Sequence, residues 1–396
     1  AGPGGRTRGV DVIGVERPAL LVRGGRVFDP GEGVDLLGDV LVRDARIVAI
    51  GAQLDAPAGT HVVDARGCLV VPAFTDLHVH LREPGGEESE TVATGTASAL
   101  AGGFGTVYAM PNTHPTVDRP EVVARVRAAA RAAGPCEVVV VSAITEGLRG
   151  RALVDMRAMA AAGAGAFSDD GAWVASDELA TVAFREAAAH EWLVMEHCED
   201  FGITGAGLLH DAPAVRAAGI AGIPRAAEDR ATARDLELAR VLGTRLHLCH
   251  VSTQGAVAAL RRAKDAGLAV SGEVTPHHLV LTVDDAVAGG ADFKMKPPLR
   301  EASDADALVR ALEDGTLDAI GTDHAPHAEE KKLAGLPRAP FGAIGLETAF
   351  PVLYTRLVLT GRLSLSRLVD ALVGGPARVT RRAPPALRVG AAAALS

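Results

Sequence analysis

The chain has 396 residues, 48% of them hydrophobic, which is enough for one large core with a smaller companion. Its 40 basic and 49 acidic side chains leave a formal net charge of -9, which argues against a nucleic-acid or anionic-membrane surface and for small-molecule chemistry. No apolar run nears the roughly 18 residues that cross a bilayer, and the start lacks the order of a signal peptide, so a cytoplasmic protein is expected.

Four scattered cysteines without CxxC spacing read as buried, inert thiols. Residues 1–17 read as a flexible tail rich in glycine and arginine. From 18 to 72, short β runs (ALLVRGGRVF, DVLVRDARIVAI, HVVDARGCLVV) separated by Gly, Pro and Asp predict the N-terminal part of a small antiparallel β domain. After Pro72, apolar runs alternate with Ala/Arg/Glu-rich stretches of helical period, the pattern of repeated βα units. Strands are predicted near 74–77, 106–110, 137–143, 164–167, 193–196, 245–248, 269–273 and 317–320. Helices are predicted over 120–133, 179–190, 229–242, 256–266 and 304–312. The expected fold class is α/β: a (β/α)₈ TIM-type barrel over 73–372, with a small β-sandwich companion formed mainly by the N-terminal segment. Residues 373–396, weakly patterned, are expected to return toward that companion in truncated form.

Polar residues follow most of the predicted strands. His78 and His80 close the first (TDLHVHLREP), Asn112 the second, Asp169 and Asp170 the fourth, and His197 the fifth. His250 ends the sixth, His277 and His278 follow the seventh, and Asp323, His324 and His327 follow the eighth (GTDHAPH). In such a barrel these positions converge on one mouth, where the active sites lie. Residues two apart on a strand face the same side, so HxH can grip one ion, and imidazole with carboxylate suits zinc. An HxH alone is an ordinary pair of strand histidines, and a lone Asp323 is a helix cap. Repetition at one strand end after another points instead to a metal site, with Asp323 as a metal-linked acid/base.

The motifs DLHVHLREPG, AGGFGTVYAMPNTHPTVD, FSDDG, EHCED, CHVST, TPHHL and GTDHAPH, in that order over residues 20–377, resemble the bacterial dihydroorotases of the amidohydrolase superfamily. The resemblance implies two zinc ions per subunit, with one as the alternative. His78, His80 and Asp323 would hold one ion, His197 and His250 the other, and a carboxylate would bridge them. Many relatives bridge with a carboxylated lysine, but the five lysines here all lie at Lys264 or beyond. The FSDDG motif is instead similar to the subgroup bridged by an aspartate, matched here to Asp170, with Asp169 orienting it. The resemblance places the substrate carboxylate at Arg82, Asn112 and His327, and a guanidinium fork suits that task. A salt bridge from Arg82 to Glu83 or Glu87 is the plainer alternative. Phe341 and Gly342 are expected near the substrate on a long loop over 327–345, with a passive connection as the alternative.

The reaction so implied is the reversible cyclisation of N-carbamoyl-L-aspartate to L-dihydroorotate with loss of water, in de novo pyrimidine biosynthesis. It would use a metal-bridging hydroxide and Asp323 as general acid/base. Another cyclic amidase, a hydantoinase or allantoinase, is the near alternative, and a non-catalytic scaffold for aspartate transcarbamoylase the distant one. A small-molecule substrate without nucleic acid or membrane is expected, and a homodimer and association with the transcarbamoylase stay open. Lys296 (FKMKPPLR) stands where relatives often have asparagine, either altering affinity or pointing outward. His114 reads as a loop residue; His61, His190 and His210 read as surface or satisfied core. His247 is set aside by strand alternation, and His277 is placed behind the ligands.

Overall fold

A computed structural model describes residues 19–396. The expected tail over 1–17 lies outside the described residues. The chain divides into two compact units, one of residues up to 71 together with 386–395, the other of residues 72–385 with Ser396.

The smaller unit is a sheet of five strands: β1 (Leu20–Asp29), β2 (Val34–Arg43), β3 (Arg46–Gly51), β4 (His61–Asp64) and β5 (Leu69–Val70). It is mixed rather than antiparallel. β2 pairs antiparallel with β1 and β3 with β2, but the chain then crosses to the other edge of β1, where β4 and β5 pair parallel. Residues 386–395 complete its apolar core, with Leu387 buried against Val22, Val27, Val40 and Ile47. Their backbone is tied by Ala393 N to Ala45 O (2.8 Å) and by Leu387 N to Asp29 Oδ2 (2.8 Å).

The larger unit is built on β6 (Phe74–Val79), β7 (Phe104–Ala109), β8 (Glu137–Ser142), β9 (Ala166–Phe167) and β10 (Leu193–Glu196). A short parallel pair follows, β11 (Leu209–His210) with β12 (Gly222–Ile223), and then β13 (Arg245–Leu248), β14 (Val270–Val274) and β15 (Ala319–Ile320). Leaving out that pair, the strands form one parallel eight-stranded sheet in sequence order. His80 N donates to His324 O (2.8 Å), which draws the first and last strands together into a nearly closed barrel. Leu77, Met110, Val141, Met195 and Cys249 fill its interior.

Helices fall where the apolar period placed them, and local signals set their ends. Ser176 caps Asp177–Ala189 by accepting from Leu179 N, and Thr253 caps Gln254–Asp265 by accepting from Ala256 N. The helix Val92–Ala101 was not predicted. Its small Thr, Gly and Ala residues give little apolar contrast, and a capping box between Thr91 and Thr94 starts it. Of the cysteines, Cys136, Cys198 and Cys249 are buried, but Cys68 is exposed, correcting the expectation for that thiol. No helix among the described residues is long and apolar enough to cross a membrane.

His210, read from sequence as surface or satisfied core, is buried in β11 beside a buried arginine. His210 Nδ1 faces both Arg300 Nη1 (3.1 Å), which can only donate, and Ile223 O (3.3 Å), which can only accept. Burial, with Arg300 and Arg225 nearby, pushes this imidazole down to about 4. An unfolded chain takes up that proton near 6.5, so the unfolded state binds more protons between the two values, and stability falls as pH drops through that window. The melting temperature is therefore expected to decline from pH 6.5 to 4, with a shallower slope in His210→Gln. An unchanged slope in the variant would contradict this.

Candidate active site

His78 lies in β6 and His80 just past its end, and strand alternation turns both rings to one side. Asp76, two residues earlier, accepts from His78 N and from Thr322 N, each at 3.0 Å, and so ties the first strand to the segment after the last. Arg82, His250 and Asp323 adopt φ of 58°, 34° and 48°, left-handed values that cost a non-glycine residue about 1–3 kcal/mol each. Three of the ten such non-glycine residues among the described residues thus lie where the chain turns out of β6, β13 and β15, and the turns bring these side chains to one cavity.

Asp170 is the centre of the arrangement. Its Oδ1 stands 3.2 Å from His78 Nε2, 3.7 Å from His197 Nδ1 and 3.6 Å from His250 Nε2, and its Oδ2 stands 3.5 Å from His80 Nε2. Asp323 Oδ1 approaches His80 Nε2 at 3.0 Å and His78 Nε2 at 3.7 Å. His197 Nδ1 and His250 Nε2 are 2.9 Å apart. Two overlapping groups therefore have metal-ligand spacing, His78 with His80 and Asp323, and His78 with Asp170 and His250. Among the described residues His78 Nε2 and Asp170 Oδ1 have no hydrogen-bond partner although both are buried. Such a set of convergent imidazole nitrogens and carboxylate oxygens fits divalent cations.

The outer nitrogens of three of these rings are held. His78 Nδ1 donates to Glu273 Oε1 (3.1 Å), His80 Nδ1 to Asn112 Oδ1 (2.8 Å) and His197 Nε2 to Glu199 Oε2 (2.9 Å). Burial opposes ionisation of Asp170, yet His78, His197 and His250 around it hold the carboxyl well below the usual range. Asp323 is likewise buried, and the His80 hydrogen bond with the neighbouring His78 keeps it low. Asp169 turns away, accepting from Ile144 N (2.8 Å) and Thr145 N (2.9 Å) to hold the loop after β8.

The cavity above this cluster has a volume of about 260 Å³. Arg82, Asn112, His327, Phe341 and Gly342 all line it, as does Lys296. Arg82 Nε donates to Pro326 O (3.0 Å), and no salt bridge joins it to Glu83 or Glu87. His327 Nε2 donates to Phe341 O (2.7 Å), and burial with the Arg82 guanidinium pushes the imidazole down to about 4, so the ring is neutral at pH 7.

Comparison with known proteins bears on this geometry. A family described as Dihydro-orotase-like matches residues 67–256. The dihydroorotase of Anaeromyxobacter dehalogenans is 48% identical over 376 residues, covering 94% of this chain and 87% of that one. The dihydroorotase of Shouchella clausii is 45% identical over 378 residues, covering 96% and 88%. The chain belongs to the dihydroorotase family. Among solved structures, the L-hydantoinase (dihydropyrimidinase) of Arthrobacter aurescens superposes with a TM-score of 0.82 at 29% identity, covering 95% of this chain and 86% of that one. The D-hydantoinase of a Thermus species gives 0.80 at 27%, covering 95% and 85%. This member of the dihydroorotase family is a hydrolase of cyclic amides on an amidohydrolase barrel.

The sequence left the direction of Lys296 open, and it did not anticipate the acids that support this dihydroorotase-family site. Lys296 does not point outward. Its side chain is 19% exposed, its ammonium lies 3.1 Å from Glu199 Oε1, and it stands over the rings of Phe201 and Phe341 at 4.6 and 4.9 Å. Glu199, Glu273 and Asp76 were missed as supports, although each left a trace. Glu199 and Asp76 are two residues from a site histidine, and Glu273 is an acid inside an apolar strand, where one is rarely found unpaired.

Gly342 has φ of 126°, and a Cβ there would meet Ala325 Cβ at 2.7 Å and His327 Nε2 at 3.0 Å. Gly342→Ala is expected to displace His327 and lower kcat/KM by about 10–100-fold, the scale of an ångström-sized misplacement. Steady-state kinetics with an unchanged kcat/KM would show that the loop yields freely.

Proposed function

We propose that the chain interconverts N-carbamoyl-L-aspartate and L-dihydroorotate, with loss of water in the ring-closing direction, at a site holding two zinc ions. The observation that carries this reading is Asp170 set between two groups of imidazoles, with the Arg82 guanidinium facing the same cavity. His78, His80 and Asp323 would hold one ion, His197 and His250 the other, with Asp170 shared. Bound zinc supplies a low water pKa, about 7 against 15.7 in bulk, and polarises a carbonyl oxygen.

The chain's own groups do the rest. Arg82, Asn112 and His327 grip the substrate carboxylate and orient the ring; Phe341 and Gly342 enclose it. In hydrolysis a C–O bond forms at the ring carbonyl as the C–N bond breaks. Asp323 takes the proton from the attacking water and returns it to the departing nitrogen. Ring closure reverses each transfer. The reading places the protein in the cytoplasm, and it requires neither a homodimer nor association with aspartate transcarbamoylase.

The structural likeness to hydantoinases makes a ring without a carboxylate the rival substrate. Turnover of dihydroorotate is measured beside that of dihydrouracil, the same ring without the acid. A site built around a polar group rejects the analogue lacking it, and a preference of about 10³-fold or more in kcat/KM is expected. Comparable turnover of the two would favour the hydantoinase reading.

A further inference from the structure

Glu273 lies in β14, fully buried beneath the metal-ligand cluster, where an ionised side chain is costly unless paired. Its Oε1 accepts from His78 Nδ1 at 3.1 Å, and its Oε2 stands 3.2 Å from Nε2 of His247, itself fully buried. His247 Nδ1 in turn is 2.8 Å from Ser271 Oγ. The sheet sets this line up. His247 is abreast of Ser271 in the register of β13 and β14, and Glu273 follows Ser271 by two, on the same face. Gly321 leaves the room, since a Cβ there would come within 2.5 Å of the Glu273 carboxylate.

His78, Cys249 and Glu273 also have metal-ligand spacing. Both carboxylate oxygens already face an imidazole, however, and Cys249 packs in the apolar barrel interior with Leu77 and Met195. Glu273 is placed to hold a ligand rather than to be one.

Resting on the metal reading above, we infer that Glu273 is a positioning residue for the metal site, with His247 and Ser271 holding it in place. A carboxylate only accepts, so the proton of His78 stays on Nδ1 and the lone pair of Nε2 faces Asp170 and Asp323. The same hydrogen bond fixes the ring plane and raises the basicity of the ligating nitrogen. Glu273 touches neither substrate nor the reacting atoms.

The test titrates zinc into the full chain and into Glu273→Gln against a chromophoric chelator, and records the visible absorption of each protein loaded with cobalt(II). In the variant one of two ions is expected to bind about 10–100-fold more weakly, with shifted cobalt bands. KM for dihydroorotate should change little, and excess metal should restore most of the turnover. His247→Leu, which touches no ligand, should give a smaller loss in the same direction, and it decides the matter should Glu273→Gln not fold. A lowered melting temperature with unchanged zinc affinity and cobalt spectrum would mark Glu273 as a packing group and overturn the inference. A wild-type chain that binds no metal would overturn the metal reading instead, a separate result.

Discussion

Asp323→Asn is expected to lower kcat for dihydroorotate by about 10⁴-fold, the upper end of what a positioned acid/base contributes. The amide keeps the shape of the side chain and can still face His80, which lies 3.0 Å from Asp323 Oδ1, but it cannot accept and return a proton. The group around Asp170, His197 and His250 is untouched, so metal should remain bound at that side. Kinetics and metal analysis on the same preparation separate the two roles. Turnover near that of the wild type would remove Asp323 from the proton transfer. Loss of all metal would make it a ligand before anything else.

Arg82→Met is the second large effect. The methionine keeps much of the apolar volume and removes the guanidinium that would pair with the substrate carboxylate. Truncating one partner of a buried, hydrogen-bonded charge pair costs about 2–5 kcal/mol, so kcat/KM for dihydroorotate should fall by roughly 30- to 5,000-fold. Dihydrouracil has no carboxylate, and its slow hydrolysis should be nearly unchanged. If both substrates lost activity equally, Arg82 would be supporting the loop through Pro326 and not gripping the substrate.

The strand-end histidines and aspartates were legible in the sequence because barrel strands are short apolar runs whose C-terminal ends share one mouth. That single rule carried His78, His80, His197, His250 and Asp323 to the same cluster. Assigning Asp170 rather than Asp169 to the centre rested on resemblance alone, and the structure separates them by direction. Asp169 is spent on backbone amides behind β8, while Asp170 faces four imidazoles. What the sequence hid are contacts made between strands. Nothing local marks Glu273 as reaching a histidine on another strand, or Lys296 as folding back onto Glu199. The parallel pairing of β4 and β5 was hidden for the same reason, since it depends on a crossing of the chain and not on the pattern within either strand.

Metal content and the interconversion of carbamoyl aspartate and dihydroorotate, measured on one preparation before and after chelation, test the central claim most directly. The arrangement around Asp170 predicts bound zinc, turnover in both directions, loss of turnover with the metal and its return when zinc is restored. Full turnover by protein stripped of metal would contradict it.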